Sequence, residues 1–316
     1  PCGSVLVAND LCYVVTRGQR TGGFQDVYLC AFNLADGSMR WASHLASGNP
    51  PLQLGGDEAP TAGDTADSHL AYADGRVVVS TDLGAIASVD AVDGTIGWLA
   101  LYPRPRPTAV DGVRQNPDVV NTGRVAPAYA GNPVILRDGK VIALPVDAEH
   151  LLVHDAATGR ALARVPMRRR AAGGQRAERL DVLAGLSADR LVLASSWAIT
   201  DVLVNHRAVI SPQYPDQAIR GRPFLTAGSL YVPTAQRLFR FTADARRVLD
   251  RYPAGEEDLD ARADESPGNV IAVDGTIVMA GSDRVAVYAE LALLRRRLDA
   301  AIAADPRAVP PRLAYA

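Results

Sequence analysis

Apolar residues in this chain come in short runs, cut again and again by clusters of Gly, Asp, Asn and Pro. Runs this short, bounded by turn formers, predict β-strands. The clearest stretch holds four of them: His69 to Ala73, Arg76 to Thr81, Ala85 to Ala91 and Thr95 to Tyr102. The second of these recurs as Leu11 to Thr16, Lys140 to Leu144, Arg190 to Ala194, Ser229 to Val232 and Thr276 to Ala280. The third recurs as Val27 to Asn33, Leu151 to Asp155, Asp201 to His206, Arg237 to Thr242 and Arg284 to Tyr288. A unit of four strands is therefore visible in six copies. A sheet this small cannot bury both faces alone, so the copies must stack on one another. The last copy lacks a fourth strand, because after Tyr288 the apolar positions Leu291, Leu294, Leu298 and Ile302 take up a helical period that Asp305-Pro306 ends.

Three of the turns carry one motif. Asn33-Leu34-Ala35-Asp36-Gly37 is followed by Trp41, Asp90-Ala91-Val92-Asp93-Gly94 by Trp98, and Asp155-Ala156-Ala157-Thr158-Gly159 by Ala163. The chemistry suits a tight hairpin turn: Asp90 and Asp155 can accept backbone N–H bonds, and Gly94 and Gly159 take a positive φ. Trp41 and Trp98 are expected to bury a large ring against the neighbouring unit, with the indole N–H on a backbone acceptor. All of these residues read as structural.

This pattern of Asp or Asn, Ala, Asp or Thr, Gly and Trp resembles the quinoprotein-type repeat of PQQ-like β-propellers over about Ser4 to Ala289. The resemblance implies an all-β fold, a β-propeller of four-stranded antiparallel blades, with residues 1–289 as the propeller domain and residues 290–316 as an α-helical tail. The tail looks like the start of tetratricopeptide-type repeats. Because the chain opens at Pro1 almost in a strand, it reads as a piece of a larger bacterial multidomain protein, with the closing strand or whole blades upstream. The family includes quinone-dependent alcohol dehydrogenases, the BamB lipoprotein that scaffolds outer-membrane protein assembly, and proteins that carry the repeat without a quinone. It is largely extracytoplasmic, which makes the periplasm or cell envelope the expected location. The quinone-binding branch implies eight blades, a vicinal disulfide, calcium held by Glu and Asn, and a catalytic Asp. This sequence has no Cys-Cys pair and matches only at the structural Gly and Trp positions.

Composition narrows the function classes. A net charge of −2 over 316 residues lacks the basic excess of a nucleic-acid binder. Arg168-Arg169-Arg170 and the acidic Glu256-Glu257-Asp258 with Asp260 read as solvated loops, the latter lacking the Gly-centred spacing of a calcium loop. The long segments Asn49 to Ser68, Pro103 to Pro133, Met167 to Arg179 and Pro253 to Gly268 read as loops. No apolar run is long enough to span a bilayer. Of the three cysteines, Cys12 and Cys30 fall on partner strands where a disulfide is geometrically allowed, yet the absence of metal-type spacing favours free, partly buried thiols, with Cys2 left over. His150 and His154 lie four residues apart in a strand, about 13 Å at the usual rise, too far to share a metal. Trp197 reads as core. The sequence therefore assigns no catalytic residue, cofactor or metal. It reads as a non-catalytic scaffold that binds protein partners through propeller loops and the helical tail, with a PQQ-dependent oxidoreductase-like protein or a small-ligand sensor as alternatives.

Overall fold

The computed structural model describes residues 5–19, 24–48, 68–104, 108–110, 113–115, 131–169, 178–180, 182–187, 190–195, 199–203, 219, 221–234, 237–252, 269–273, 275–280, 285–289, 291–305 and 307. The chain packs as two compact units, Pro1–Ser195 with Thr200–Ser211, and Ser196–Ile199 with Pro212–Ala316. Both are built from small antiparallel sheets whose strands follow one another in chain order, and no sheet closes into a barrel.

In the first unit, sheet 1 is β1 (Leu6–Ala8), β2 (Leu11–Gln19), β3 (Gln25–Asn33) and β4 (Met39–Gly48). Sheet 2 is β5 (Leu70–Ala73), β6 (Arg76–Ser80), β7 (Ala85–Asp90) and β8 (Ile96–Leu101). A two-stranded hairpin, β9 (Thr108–Val110) with β10 (Val113–Gln115), precedes sheet 3, which is β11 (Ile135–Arg137), β12 (Lys140–Ala143), β13 (His150–Asp155) and β14 (Ala161–Pro166). A second hairpin joins β15 (Arg168–Arg169) to β16 (Glu178–Arg179), and sheet 4 holds β17 (Val182–Ser187), β18 (Arg190–Ala194) and β19 (Ile199–Leu203). The two hairpins correct the loop reading of their segments: Arg168 pairs with Arg179 and Arg169 with Glu178, so a backbone ladder forms although the residues are charged. β19 starts two residues before the expected Asp201.

In the second unit, sheet 5 is β20 (Phe224–Leu225), β21 (Ser229–Pro233), β22 (Leu238–Thr242) and β23 (Val248–Tyr252). Sheet 6 is the three-stranded β24 (Asn269–Val273), β25 (Thr276–Ala280) and β26 (Val285–Ala289), followed by α1 (Leu291–Ala304). Leu238, Val270 and Met279 bury one another between these two sheets, with Phe224, Tyr231, Ile277 and Tyr288 around them. Among the described side chains of α1, Leu298 and Ile302 are half-buried, while Leu294 is exposed.

Strand chemistry follows position in the sheet. The inner strands are buried on both faces, so β6 reads Arg-Val-Val-Val-Ser without alternation: Val77 and Val79 pack against Tyr13, Val15 and Leu29 of sheet 1, whereas Val78 packs against Val141 and Leu152 of sheet 3. Sheet 3 in turn meets sheet 4 through Ile142, Leu151, Leu183 and Leu193. Each fully buried aliphatic side chain contributes about 1.5–3 kcal/mol, so these layers dominate over any surface ion pair. The fourth strands β4, β8, β14 and β23 sit at sheet edges and are mostly exposed, with Leu45, Trp98 and Val165 as the buried positions of the first three.

Two turn types recur. The first and second strands of sheets 1 to 3 are joined by two-residue hairpins, Asn9-Asp10, Asp74-Gly75 and Asp138-Gly139, with positive φ at both positions, the geometry that suits the strand twist. The motif turns are wider than expected. Five residues separate the third and fourth strands, closed by Gly37 N–H to Asn33 O, Gly94 N–H to Asp90 O and Gly159 N–H to Asp155 O at 2.8 to 3.0 Å. The carboxylates account for this: Asp90 Oδ1 accepts from Val92 N at 2.8 Å and Asp155 Oδ1 from Thr158 N at 2.9 Å, offering the backbone a side-chain partner inside the loop.

Candidate functional site

The stacked sheets of the first unit are fastened at two opposite ends of their strands. At the motif end, the Trp of one sheet lies on the Gly of the next. A Cβ added to Gly94 would stand 2.7 Å from the Trp41 ring, and one on Gly159 2.6 Å from the Trp98 ring. Trp98 Nε1 donates to Ala156 O at 2.9 Å, and the His154 imidazole stacks behind it at 6.3 Å with Nδ1–H directed to Gly159 O at 2.9 Å. His154 is thus held by packing and one carbonyl. Ser43 Oγ adds a bond to Gly94 O. The Trp41 indole N–H, by contrast, is buried without a hydrogen-bond partner, and the carbonyl equivalent to Ala156 O, that of Ala91, accepts instead from Tyr13 Oη at 3.0 Å. In the third copy, Ala163 stands at the Trp position. Asp36 Oδ1 accepts from Ser38 N at 2.9 Å, and Asp93 Oδ1 accepts from Thr95 N at 2.8 Å; with the bonds from Thr158 to Asp155, these donors hold all three carboxyls below the usual carboxylate range.

At the other end lies a cluster that the sequence reading missed. Counting six residues on from the start of the second strand gives Arg17 in sheet 1, Asp82 in sheet 2 and Val146 in sheet 3. These three equivalent positions meet. Arg17 Nη2 lies 3.7 Å from Asp82 Oδ2 and also donates to Ser68 Oγ at 2.7 Å and Thr81 O at 3.1 Å. Asp82 Oδ1 accepts from Val146 N at 3.3 Å and Ser80 Oγ at 3.1 Å. Its neighbour Asp147 draws three donors from sheet 2 and the segment after it: Tyr102 Oη at 2.6 Å on Oδ1, and Arg104 Nε at 2.6 Å with Gly84 N at 3.1 Å on Oδ2. Three of the four carboxylate oxygens accept a hydrogen bond from the protein, and the fourth, Asp82 Oδ2, faces the Arg17 guanidinium at 3.7 Å.

The electrostatics follow from burial. Asp82 is 3% exposed and its φ is +52°. Loss of solvent, then the like charge of Asp147, push its pKa up to about 7 against the opposing pull of Arg17. Burial likewise raises Asp147, although Tyr102 and Arg104 oppose the shift, and Tyr102 is raised well above its ordinary value by burial and the two carboxylates. The arrangement binds three sheets together around two carboxyls that burial makes harder to ionise. A signal was present: an Arg and an Asp at the same repeat offset in consecutive copies.

A second polar group involves Asp26, Ser47 and His44. Ser47 Oγ donates to Asp26 Oδ1 at 2.5 Å, and His44 Nε2 faces both Ser47 Oγ at 2.9 Å and Asp26 Oδ1 at 3.6 Å. A serine relay needs the imidazole between hydroxyl and carboxylate, using a different nitrogen for each. Here one nitrogen faces both and the serine proton is directed at the carboxylate, so this geometry is not that relay. Cys12 and Cys30 are free thiols, since Cys12 lies opposite Phe32 and Cys30 opposite Val14. Among the described residues no group of three or more His, Cys, Asp or Glu is placed to hold a metal ion. Trp197 and the acidic run from Glu256 lie outside the described residues.

No protein-family model and no curated protein matches the chain. Among solved structures, the computationally designed Ika8 protein aligns over 92% of this chain and 71% of its own, with a TM-score of 0.52 and 10% identity. BamB from Moraxella catarrhalis aligns over 90% of this chain and 92% of its own, with a TM-score of 0.48 and 12% identity. The designed Ika4 protein covers 49% of this chain and 88% of its own, with a TM-score of 0.36 and 12% identity. At such identity the likeness to Ika8 concerns the fold alone, and the other two are too distant to bear on it.

Proposed function

We propose that the chain is a β-propeller-type scaffold whose work is protein–protein contact and not chemistry. The observation that carries this reading is the outer strand β8, Ile-Gly-Trp-Leu-Ala-Leu, an uncharged sheet edge on which Ile96, Leu99 and Leu101 are exposed, Leu101 to 71%. Edge strands are ordinarily guarded by charge, and the equivalent β4, β14 and β23 carry Arg40, Arg164 and Asp250 with Arg251. An apolar edge with no charged residue of its own, crossed only at Gly97 by the Arg76 guanidinium among the contacts described, suits an extended partner segment, which gains backbone bonds and side-chain burial together. The burial of the Asp82 and Asp147 carboxyls among protein donors supports the same reading. The quinoprotein-like repeat points to the bacterial cell envelope as the location, and among the described residues no helix is long and apolar enough to cross a membrane.

A photocrosslinking residue in place of Leu101, in the natural polypeptide in its own host, tests the proposal. A discrete protein adduct that disappears with Leu99→Lys is expected, and the absence of any adduct counts against it. Saturable heat on titrating pyrroloquinoline quinone with calcium into the protein would overturn the non-catalytic reading.

A further inference from the structure

The edge strand β8 has a symmetry of its own. Tyr102 N–H donates inward to Gly84 O at 2.9 Å, and Ala85 stands opposite Leu101. Amides alternate along an antiparallel ladder, so Trp98, Ala100 and Tyr102 bond toward β7, whereas the N–H and C=O groups of Leu99 and Leu101 point away from the sheet. Among the described residues no strand pairs with them there. Their side chains stand on the face opposite Trp98, Ala100 and Tyr102, which pack in the layer shared with sheet 3. Two features bound the stretch that a further strand can pair with. Gly97 is skipped where the register shifts between Ser88 and Val89, and Pro103 has no N–H to give. Each lies three residues from Ala100. The Arg76 guanidinium crosses at Gly97, outside that stretch.

We propose that the occupant of this edge is a second copy of the chain, whose β8 pairs antiparallel with the first about a two-fold axis at Ala100. The inference rests on the reading of β8 as the contact edge and names its partner. In this register Leu99 stands opposite Leu101 of the second copy, and Leu101 opposite its Leu99. The two outward N–H and two outward C=O groups of each copy are then all matched, in four backbone bonds. The four leucine side chains lie on one face as direct cross-strand neighbours, Cα to Cα about 5.5 Å. Charge favours the same occupant. β8 opposes no like charges when it meets itself, whereas β4 and β14 each carry an arginine that self-pairing would duplicate within one ladder. The two-fold joins both copies of sheet 2 into one continuous sheet and closes the association at two, because the paired edge is used up. A ladder this short falls below the about 1,200–2,000 Å² of a standing interface, which makes the dimer reversible, with a dissociation constant on the order of 100 µM.

Sedimentation equilibrium of the chain between about 10 and 300 µM brackets that constant. Two double variants at the exposed leucines read the register. Leu99→Lys with Leu101→Glu sets opposite charges across both pairs and should keep the dimer, in a form that salt weakens. Leu99→Lys with Leu101→Lys sets like charges across both pairs and should weaken it at least about tenfold. Leu101→Pro, which removes one outward N–H and no bond to β7, should weaken it as well. A chain that stays monomeric at the highest concentration overturns the proposal, and so does a dimer that the two double variants affect alike. If the chain is monomeric while a crosslinker at Leu101 captures a different protein in the host, β8 remains a contact edge and the second copy is excluded as its occupant.

Discussion

Tyr13 holds the acceptor that Trp41 lacks. Their rings lie 5.9 Å apart, and the Tyr13 hydroxyl occupies Ala91 O, the counterpart of the carbonyl that Trp98 uses in the next pair of sheets. The two motif tryptophans are therefore chemically unequal although their sequence settings match. Trp41→Phe removes a polar atom that bonds nothing, while Trp98→Phe leaves Ala156 O without its donor. Urea denaturation should find Trp98→Phe more destabilising than Trp41→Phe by about 1–2 kcal/mol. An equal loss for both would refute the assignment.

Alanine at the three motif glycines separates backbone strain from collision. All three have φ between +71° and +78°, which costs an L-residue about 1–2 kcal/mol. At Gly94 and Gly159 the new Cβ also meets an indole ring. Gly94→Ala and Gly159→Ala should thus lose at least about 1–3 kcal/mol more than Gly37→Ala, the range for overpacking. Thermal melts of the three single variants provide the comparison.

The buried carboxyl of Asp82 makes stability depend on pH in an uncommon direction. Its folded pKa, about 7, lies above the ordinary carboxyl value of 3.8, so the folded state binds the proton more tightly than the unfolded one. The contribution is fully present below about pH 4 and is lost as pH rises through about 7. Asp147 shifts the same way. Asp82→Asn keeps the left-handed backbone accessible and removes the titration, so the melting temperature of the variant should fall less than that of the parent between pH 4 and pH 8. An unchanged slope would show that Asp82 titrates normally.

Tyr102→Phe tests the other half of the cluster. The phenol donates to a buried carboxylate, and deleting such a donor costs about 1.5–3 kcal/mol. A loss below about 0.5 kcal/mol would mean that Arg104 and Gly84 alone satisfy Asp147.

Local features were legible in the sequence because each depends on adjacent residues. Asp74-Gly75 and Asp138-Gly139 announce their hairpins, Leu298 and Ile302 their helix, and the Gly-to-Trp spacing its four-strand unit. The cluster was not legible in that way: Arg17, Asp82, Val146 and Asp147 come from three sheets, and each alone resembles an ordinary loop residue. Only alignment of the copies by strand register exposes their shared offset. The missing Trp41 bond was hidden for a related reason. It goes with Tyr13, whose hydroxyl bonds the equivalent carbonyl, at a position where the other copies have Val78 and Ile142 and so no hydroxyl.

The two ends of the stack answer to different solvents. The indole end is fastened by ring packing and by hydrogen bonds to backbone carbonyls, with no ion pair among the contacts described there. The opposite end is fastened by two guanidinium groups and two carboxyls, one titrating near pH 7. Raising the pH therefore weakens the polar fastening at one end of the sheets, while the buried layers between them and the indole contacts at the other end are left in place.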